Sequence, residues 1–141
     1  EWFGKVQNKF DKVLVDAPCS GTGAIRKSLK TLRMWNPDSI RRLQGIQKRL
    51  IETGFEILRK GGTLVYSTCS VEPEENEEVV THLLETYENA EIHEIELDIK
   101  RSKPIEGFLG KKYHPEISKC LRIWPQDNDT EGFFVAKLKK I

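Results

Sequence analysis

The chain has 141 residues, enough for one domain with a core, and its charges nearly cancel at +1. That balance excludes a global basic field for capturing nucleic acid, so any such binding must use local patches or another part of the protein. No apolar run approaches the roughly 18 residues that span a bilayer, and the N-terminus lacks the apolar core of a signal peptide. The expected compartment is the cytoplasm, or the nucleus if the host has one. Cys19, Cys69 and Cys120 form no CxxC pair, and His82, His93 and His114 have no zinc-finger spacing to them. Neither a metal site nor a secreted disulfide framework is expected.

Residues 1–10 carry Trp2, Phe3 and Phe10 without a clear period. The run Val13-Leu14-Val15 reads as a buried parallel strand over 10–16. A Gly-containing turn at 20–23 leads into 24–35, a short helix or an ordered loop. Asn36-Pro37 is a helix start, with Asn36 as cap and Pro37 first in the helix. A rough apolar stripe from Ile40 to Leu58 carries this helix to residue 60, where Gly61-Gly62 ends it. A second strand follows at 63–67. Pro73 opens another helix to about residue 87, with Val79, Val80, Leu83 and Leu84 on its buried side. Ile92, Ile95 and Leu97 alternate with acids and predict a third strand over 90–98. Residues 99–119 read as a long connection. A short strand at 121–124 and a final strand at 132–138 close the chain. The order gives an α/β sheet with a late antiparallel element. A strand apolar on both faces needs neighbours on both sides, so the first strand implies partners from upstream or from another subunit.

Each of the first two strands delivers a cysteine to its C-terminal end. Asp16-Ala17-Pro18-Cys19-Ser20-Gly21-Thr22-Gly23 follows the first, and Ser67-Thr68-Cys69-Ser70 follows the second. Ligands of open α/β sheets bind at that edge. Two cysteines there point to thiol chemistry on a bound substrate.

These two motifs, with Val71-Glu72-Pro73-Glu74-Glu75-Asn76-Glu77 after the second, resemble the Sun-type RNA cytosine-5 methyltransferases. Leu58-Arg59-Lys60-Gly61-Gly62-Thr63-Leu64-Val65 resembles the helix-to-strand turn of methyltransferases that use S-adenosylmethionine. Arg122-Ile123-Trp124-Pro125 and Glu131-Gly132-Phe133-Phe134-Val135-Ala136 are similar to the family's C-terminal motif, with Gln126 and Glu131 where the family often has His and Asp. The resemblance implies the C-terminal half of a Rossmann-like class I methyltransferase sheet, mostly parallel with a late antiparallel strand. The family's Gly-rich cofactor loop lies upstream of this region, and only Gly21-Thr22-Gly23 occurs here. An N-terminal half carrying that loop is therefore expected outside this chain.

The implied reaction explains both thiols. Carbon 5 of cytosine is a poor nucleophile, and a thiolate adding at carbon 6 makes the ring an enamine that can take a methyl group. The adduct must then lose the carbon 5 proton and expel the thiol. The resemblance assigns Cys69 as nucleophile and Cys19 as helper in release. It places Asp16, with Pro18, beside the base and the S-adenosylmethionine donor. Asp16 could assist attack as an acid at ring nitrogen 3 if burial raises its pKa. A thiolate at Cys69 would gain from the helix opening at Pro73, but Glu72, Glu74, Glu75, Glu77 and Glu78 oppose it. Arg26, Lys27, Lys30 and Arg33 are candidates for RNA phosphates. Arg41, Arg42, Lys48 and Arg49 read as a solvated face. Trp35 and Trp124 are expected in the core rather than stacked on a flipped base. Cys120 is expected in the core, and the histidines on the surface.

The implied substrate is tRNA, with rRNA second. A DNA cytosine-5 methyltransferase would use the Pro-Cys cysteine and leave Cys69 unexplained. A silent RNA-binding module would keep the fold without the intact Asp16, Cys19 and Cys69 that this chain has.

Overall fold

Strand β1 (Phe10–Asp16) pairs in parallel with β2 (Leu58–Thr68), as the strand–helix–strand order requires. The computed structural model describes residue 6 and residues 8–141; the aromatic residues Trp2 and Phe3 lie outside them. Next to β2 lies β7 (Phe133–Lys140), antiparallel to it. The far edge of β7 is shared by β3 (Ala90–His93) and β6 (Leu121–Ile123), both antiparallel to β7. In this five-stranded sheet β7 alone opposes the direction of the other strands. A separate hairpin joins β4 (Gly107–Phe108) to β5 (Lys111–Lys112).

Helix α1 (Leu29–Met34) is a short exposed helix after the first cysteine motif. Helix α2 (Pro37–Ile57) packs on β1 and β2 and against α3 (Glu77–Thr86). Asn36 Oδ1 accepts the Ser39 N–H at 2.8 Å, the expected cap. Ile51, Phe55, Leu64, Tyr66, Val80, Phe134 and Leu138 are buried in one continuous core. A Cβ on Gly54 would lie 2.8 Å from Val15 and 3.0 Å from Leu64, so this glycine sets how closely α2 approaches the sheet.

Several expected boundaries move. Helix α2 stops at Ile57, because the fully buried Leu58 already pairs with Phe10 in the sheet. Gly61-Gly62 instead lies in an irregular protrusion of β2, with Gly61 at φ 79°. The third strand ends at His93 because β6 takes over the edge of β7 from Val135 onward. Helix α3 starts at Glu77, not Pro73; residues 73–76 form turns, with Asn76 N donating to the Pro73 carbonyl. Strand β1 is not buried on both faces: Leu14 is 69% exposed, while Val13 and Val15 are half-buried against the core.

Lys140 closes the far end of α2. Its Nζ donates to the carbonyls of Phe55 at 3.1 Å and Leu58 at 2.9 Å, and to Asn8 Oδ1 at 2.9 Å. A cation there satisfies carbonyls the helix leaves open and complements its dipole. Lys140→Met is expected to lower unfolding stability by about 1 kcal/mol, read by urea denaturation.

Candidate active site

Asp16 and Ser67 are register partners at the ends of β1 and β2, and Ser67 Oγ donates to Asp16 Oδ1 at 2.9 Å. The two chains therefore leave the sheet side by side, and each carries its cysteine on. Cys19 Sγ and Cys69 Sγ are 3.2 Å apart, and both residues are half-buried. Parallel neighbours that each end in a cysteine bring the two thiols together at one edge of the sheet.

Backbone contacts lock the loops together. Gly23 N donates to the Cys69 carbonyl at 2.9 Å, and Gly132 N donates to the Gly23 carbonyl at 2.9 Å. A Cβ on Gly23 would sit 2.4 Å from Gly132 O and 2.6 Å from Cys69 O, so no other residue fits without moving backbone. Thr22 Oγ1 accepts from Val71 N at 3.1 Å. Beneath Cys69, Thr68 Oγ1 donates to Asn76 Oδ1 at 2.6 Å, and Asn76 Nδ2 donates to the Ser70 carbonyl at 2.9 Å.

The acids after Cys69 do not act as one negative patch. Glu77 is fully buried and takes two 2.7 Å hydrogen bonds from the Arg122 guanidinium. Glu78 pairs with Lys111 at 2.8 Å. Glu75 is fully buried and accepts from Ser20, Ser70 and Gln47. Glu72 accepts the Trp35 indole N–H at 2.9 Å; burial shifts its pKa upward, against the lowering effect of that bond. The sequence reading missed the separate tasks of Glu75 and Glu77. Their only signal was that acids occupied positions next to the cysteine loop and α3.

Burial first, and the neighbouring Cys69 second, push the Cys19 thiol up to about 12. Cys19 therefore holds its proton at neutral pH. The linkage has a definite sign. The unfolded thiol ionises near 9 and the folded one near 12. The stabilisation from the protonated thiol is complete below about 9 and is lost as pH rises through about 12. Cys19→Ala is expected to flatten the alkaline limb of a stability–pH profile, read by urea denaturation at pH steps.

A cavity of about 400 Å³ opens beside Cys19, walled by Met34, Trp35, Ile40, Leu43 and Ile46. Asp16 and Pro18 are exposed at the end of β1. Burial of Asp16, the condition for its action as an acid, is not met among the described residues. Arg26 pairs with Asp129 at 2.7 Å and Lys27 with Glu131 at 2.5 Å, whereas Lys30 and Arg33 are exposed on α1. Trp35 is not core: it is 47% exposed. Trp124 is half-buried with the Arg122 guanidinium 5.0 Å from its ring centre. Cys120 is buried as expected. The histidines are half-buried, with His82 Nε2 2.5 Å from Glu52 Oε1. Among the described residues no helix is long and apolar enough to cross a membrane.

The α/β sheet thus carries two facing thiols at the C-terminal ends of two parallel strands, the edge where ligands of open α/β sheets bind. Comparison with known proteins places the chain in a family. The chain belongs to the 16S rRNA methyltransferase RsmB/F family, whose model matches residues 1–139. It is 47% identical over 139 residues to tRNA (cytosine(49)-C(5))-methyltransferase of Pyrococcus abyssi, covering 99% of this chain and 44% of that protein. A crystal structure of a methyltransferase homolog protein from Pyrococcus horikoshii superposes with TM-score 0.79 at 39% identity, over 94% of this chain and 40% of that one. NSun6 from Pyrococcus horikoshii with SFG superposes with TM-score 0.70 at 31% identity, over 90% of this chain and 29% of that one. The chain thus spans less than half the length of these relatives. The fold is the Rossmann-like methyltransferase sheet that the motifs implied.

Proposed function

We propose that this chain is the C-terminal part of the catalytic domain of an S-adenosylmethionine-dependent RNA cytosine-5 methyltransferase, with tRNA as substrate. The observation that carries the proposal is the 3.2 Å approach of Cys19 and Cys69 at the C-terminal ends of parallel strands. One thiol adds to carbon 6 of the base while the other lies within reach of carbon 5. Cys69 forms the bond to carbon 6. On elimination the carbon 5 proton passes to solvent, its C–H electrons restore the carbon 5–carbon 6 double bond, and the expelled Cys69 sulfur takes a proton from the Cys19 thiol 3.2 Å away, which solvent then reprotonates.

The exposed carboxylate of Asp16 and the exposed Pro18 fit one side of a donor site, and they would hold S-adenosylmethionine there. That group, when bound, supplies an electrophilic methyl on a sulfonium. A relative solved with SFG, an analogue of it, supports use of this donor. The Gly-rich remainder of the site belongs to the upstream half of the domain. Calorimetry is expected to show binding by the full-length protein and weak or no binding by these 141 residues; tight binding by the short chain contradicts the division. Arg26, Lys27, Lys30 and Arg33 form the basic set that meets RNA phosphates, with Lys30 and Arg33 carrying no ion pair among the described residues, and the expected compartment is the cytoplasm.

The choice of tRNA rests on the relative at 47% identity. The family model's own description names 16S rRNA, which is the second reading. Full-length protein given labelled methyl donor and unmodified transcripts of both RNAs is expected to yield 5-methylcytidine in tRNA. Label in rRNA alone moves the substrate, and label in neither RNA overturns the proposal.

A further inference from the structure

We infer that Glu75 is the positioning residue that holds the two cysteine loops at working distance. This rests on the methyl-transfer reading above and deepens it. Glu75 has no exposed surface, and no cation touches it among the described residues. Four donors converge on its two carboxylate oxygens. Oε1 accepts Ser20 N and Gln47 Nε2, both at 2.9 Å. Oε2 accepts Ser20 Oγ and Ser70 Oγ, both at 2.5 Å.

The donors come from three different parts of the chain. Ser20 follows Cys19, and Ser70 follows Cys69. Gln47, also fully buried, stands on α2 and ties the pair to the helix, where its Nε2 also donates to the Pro18 carbonyl at 2.9 Å. One carboxylate therefore clamps the residue after each thiol from below. Its own backbone is fixed as well, since Tyr66 OH donates to the Glu75 carbonyl at 2.6 Å. A buried carboxylate is costly unless its acceptor positions are filled. Here the filling groups are those that bring the two thiols together. An apolar core residue could not bridge both loops, because the bridge needs two polar atoms, each meeting two hydrogen-bond partners.

Positioning differs from mere stability in what it predicts. Loosening the clamp shifts the thiols relative to each other and to the base, and a misplacement of about 1 Å costs roughly 100-fold in rate. RNA contacts elsewhere are untouched. Glu75→Gln keeps one carbonyl acceptor, and the serine hydroxyls can rotate to accept from its amide, so it should rescue most of the geometry.

The test uses full-length wild type, Glu75→Ala, Glu75→Gln and Ser20→Ala. The first readout is the rate at which diamide closes a Cys19–Cys69 disulfide. Two thiols give up two protons and two electrons, and the diazene is reduced to the hydrazine. This readout reports thiol proximity and does not depend on the methyl-transfer reading. Closure is expected to be fast in wild type, slowed at least about 10-fold in Glu75→Ala, and near wild type in Glu75→Gln, consistent with loss and retention of the bridging hydrogen bonds. The second readout is methyl transfer: kcat falls about 100-fold in Glu75→Ala while KM for RNA holds. Wild-type closure rates in Glu75→Ala, or an unchanged kcat, overturn the inference. If Glu75→Ala does not fold, Ser20→Ala decides: slowed closure supports the clamp, and a wild-type rate overturns it. An inactive wild type whose closure still depends on Glu75 would refute the methyl-transfer reading and leave the clamp standing.

Discussion

Cys69→Ala in the full-length protein will abolish methyl transfer and every covalent RNA adduct, with a rate loss of more than about 1,000-fold. Without a thiol at carbon 6 the cytosine ring has no route to a nucleophilic carbon 5. Cys19→Ala will behave differently. It will still form the adduct, because Cys69 is intact, but will release it slowly. A denaturing gel with substrate RNA and methyl donor will then show a shifted band that persists in Cys19→Ala and is absent in Cys69→Ala. A band that persists in Cys69→Ala and vanishes in Cys19→Ala reverses the roles and favours the mechanism in which the Pro-Cys thiol attacks.

Glu77→Ala is expected to be the most destabilising single change near the site, by about 3–5 kcal/mol. Its carboxylate meets Nε and Nη2 of Arg122 at 2.7 Å each, and both residues are almost wholly buried. Removing it strands a buried guanidinium. The pair also organises its surroundings. Glu77 Oε1 accepts Ile105 N at 2.9 Å, and Arg122 Nη1 donates to the Val71 carbonyl at 2.9 Å, two residues past Cys69. One ion pair thus ties α3 and β6 to the loop that carries Cys69. Replacing both partners together, as Glu77→Met with Arg122→Met, should cost less than the single change, because no charge is left unpaired. Urea denaturation of the single and double variants measures the difference. Equal losses in both would mean that the pair contributes through packing rather than charge.

The parts of the fold that local chemistry specifies were legible in the sequence. Val13-Leu14-Val15 and Leu64-Val65-Tyr66 announced the two parallel strands, Asn36-Pro37 announced α2, and both cysteines followed directly from the strand ends. What escaped depends on contacts distant in the chain. Glu72, Glu74, Glu75, Glu77 and Glu78 look alike as a run of acids, and no local rule says that Glu75 and Glu77 turn inward while Glu78 reaches Lys111. The choice is made by Ser20, Gln47 and Arg122, which lie 55, 28 and 45 residues away. Pro73 suggested a helix start, yet the turn through 73–76 wins because Glu75 and Asn76 are drawn into the cysteine loops. Trp35 was expected in the core, but its indole is held at the surface by Glu72. The third strand was cut short because another strand claimed its edge.

Which sulfur carries the base can be read directly. The full-length wild-type protein is incubated with methyl donor and RNA containing 5-fluorocytidine, whose carbon 5 substituent cannot leave as a proton, so the adduct accumulates. Digestion with trypsin separates the two thiols, because Cys19 lies in the peptide spanning 13–26 and Cys69 in the peptide spanning 61–100. Mass spectrometry is expected to find the methylated, fluorinated nucleotide on the 61–100 peptide, attached at Cys69. Attachment to the 13–26 peptide at Cys19, or no covalent nucleotide on either, contradicts the account.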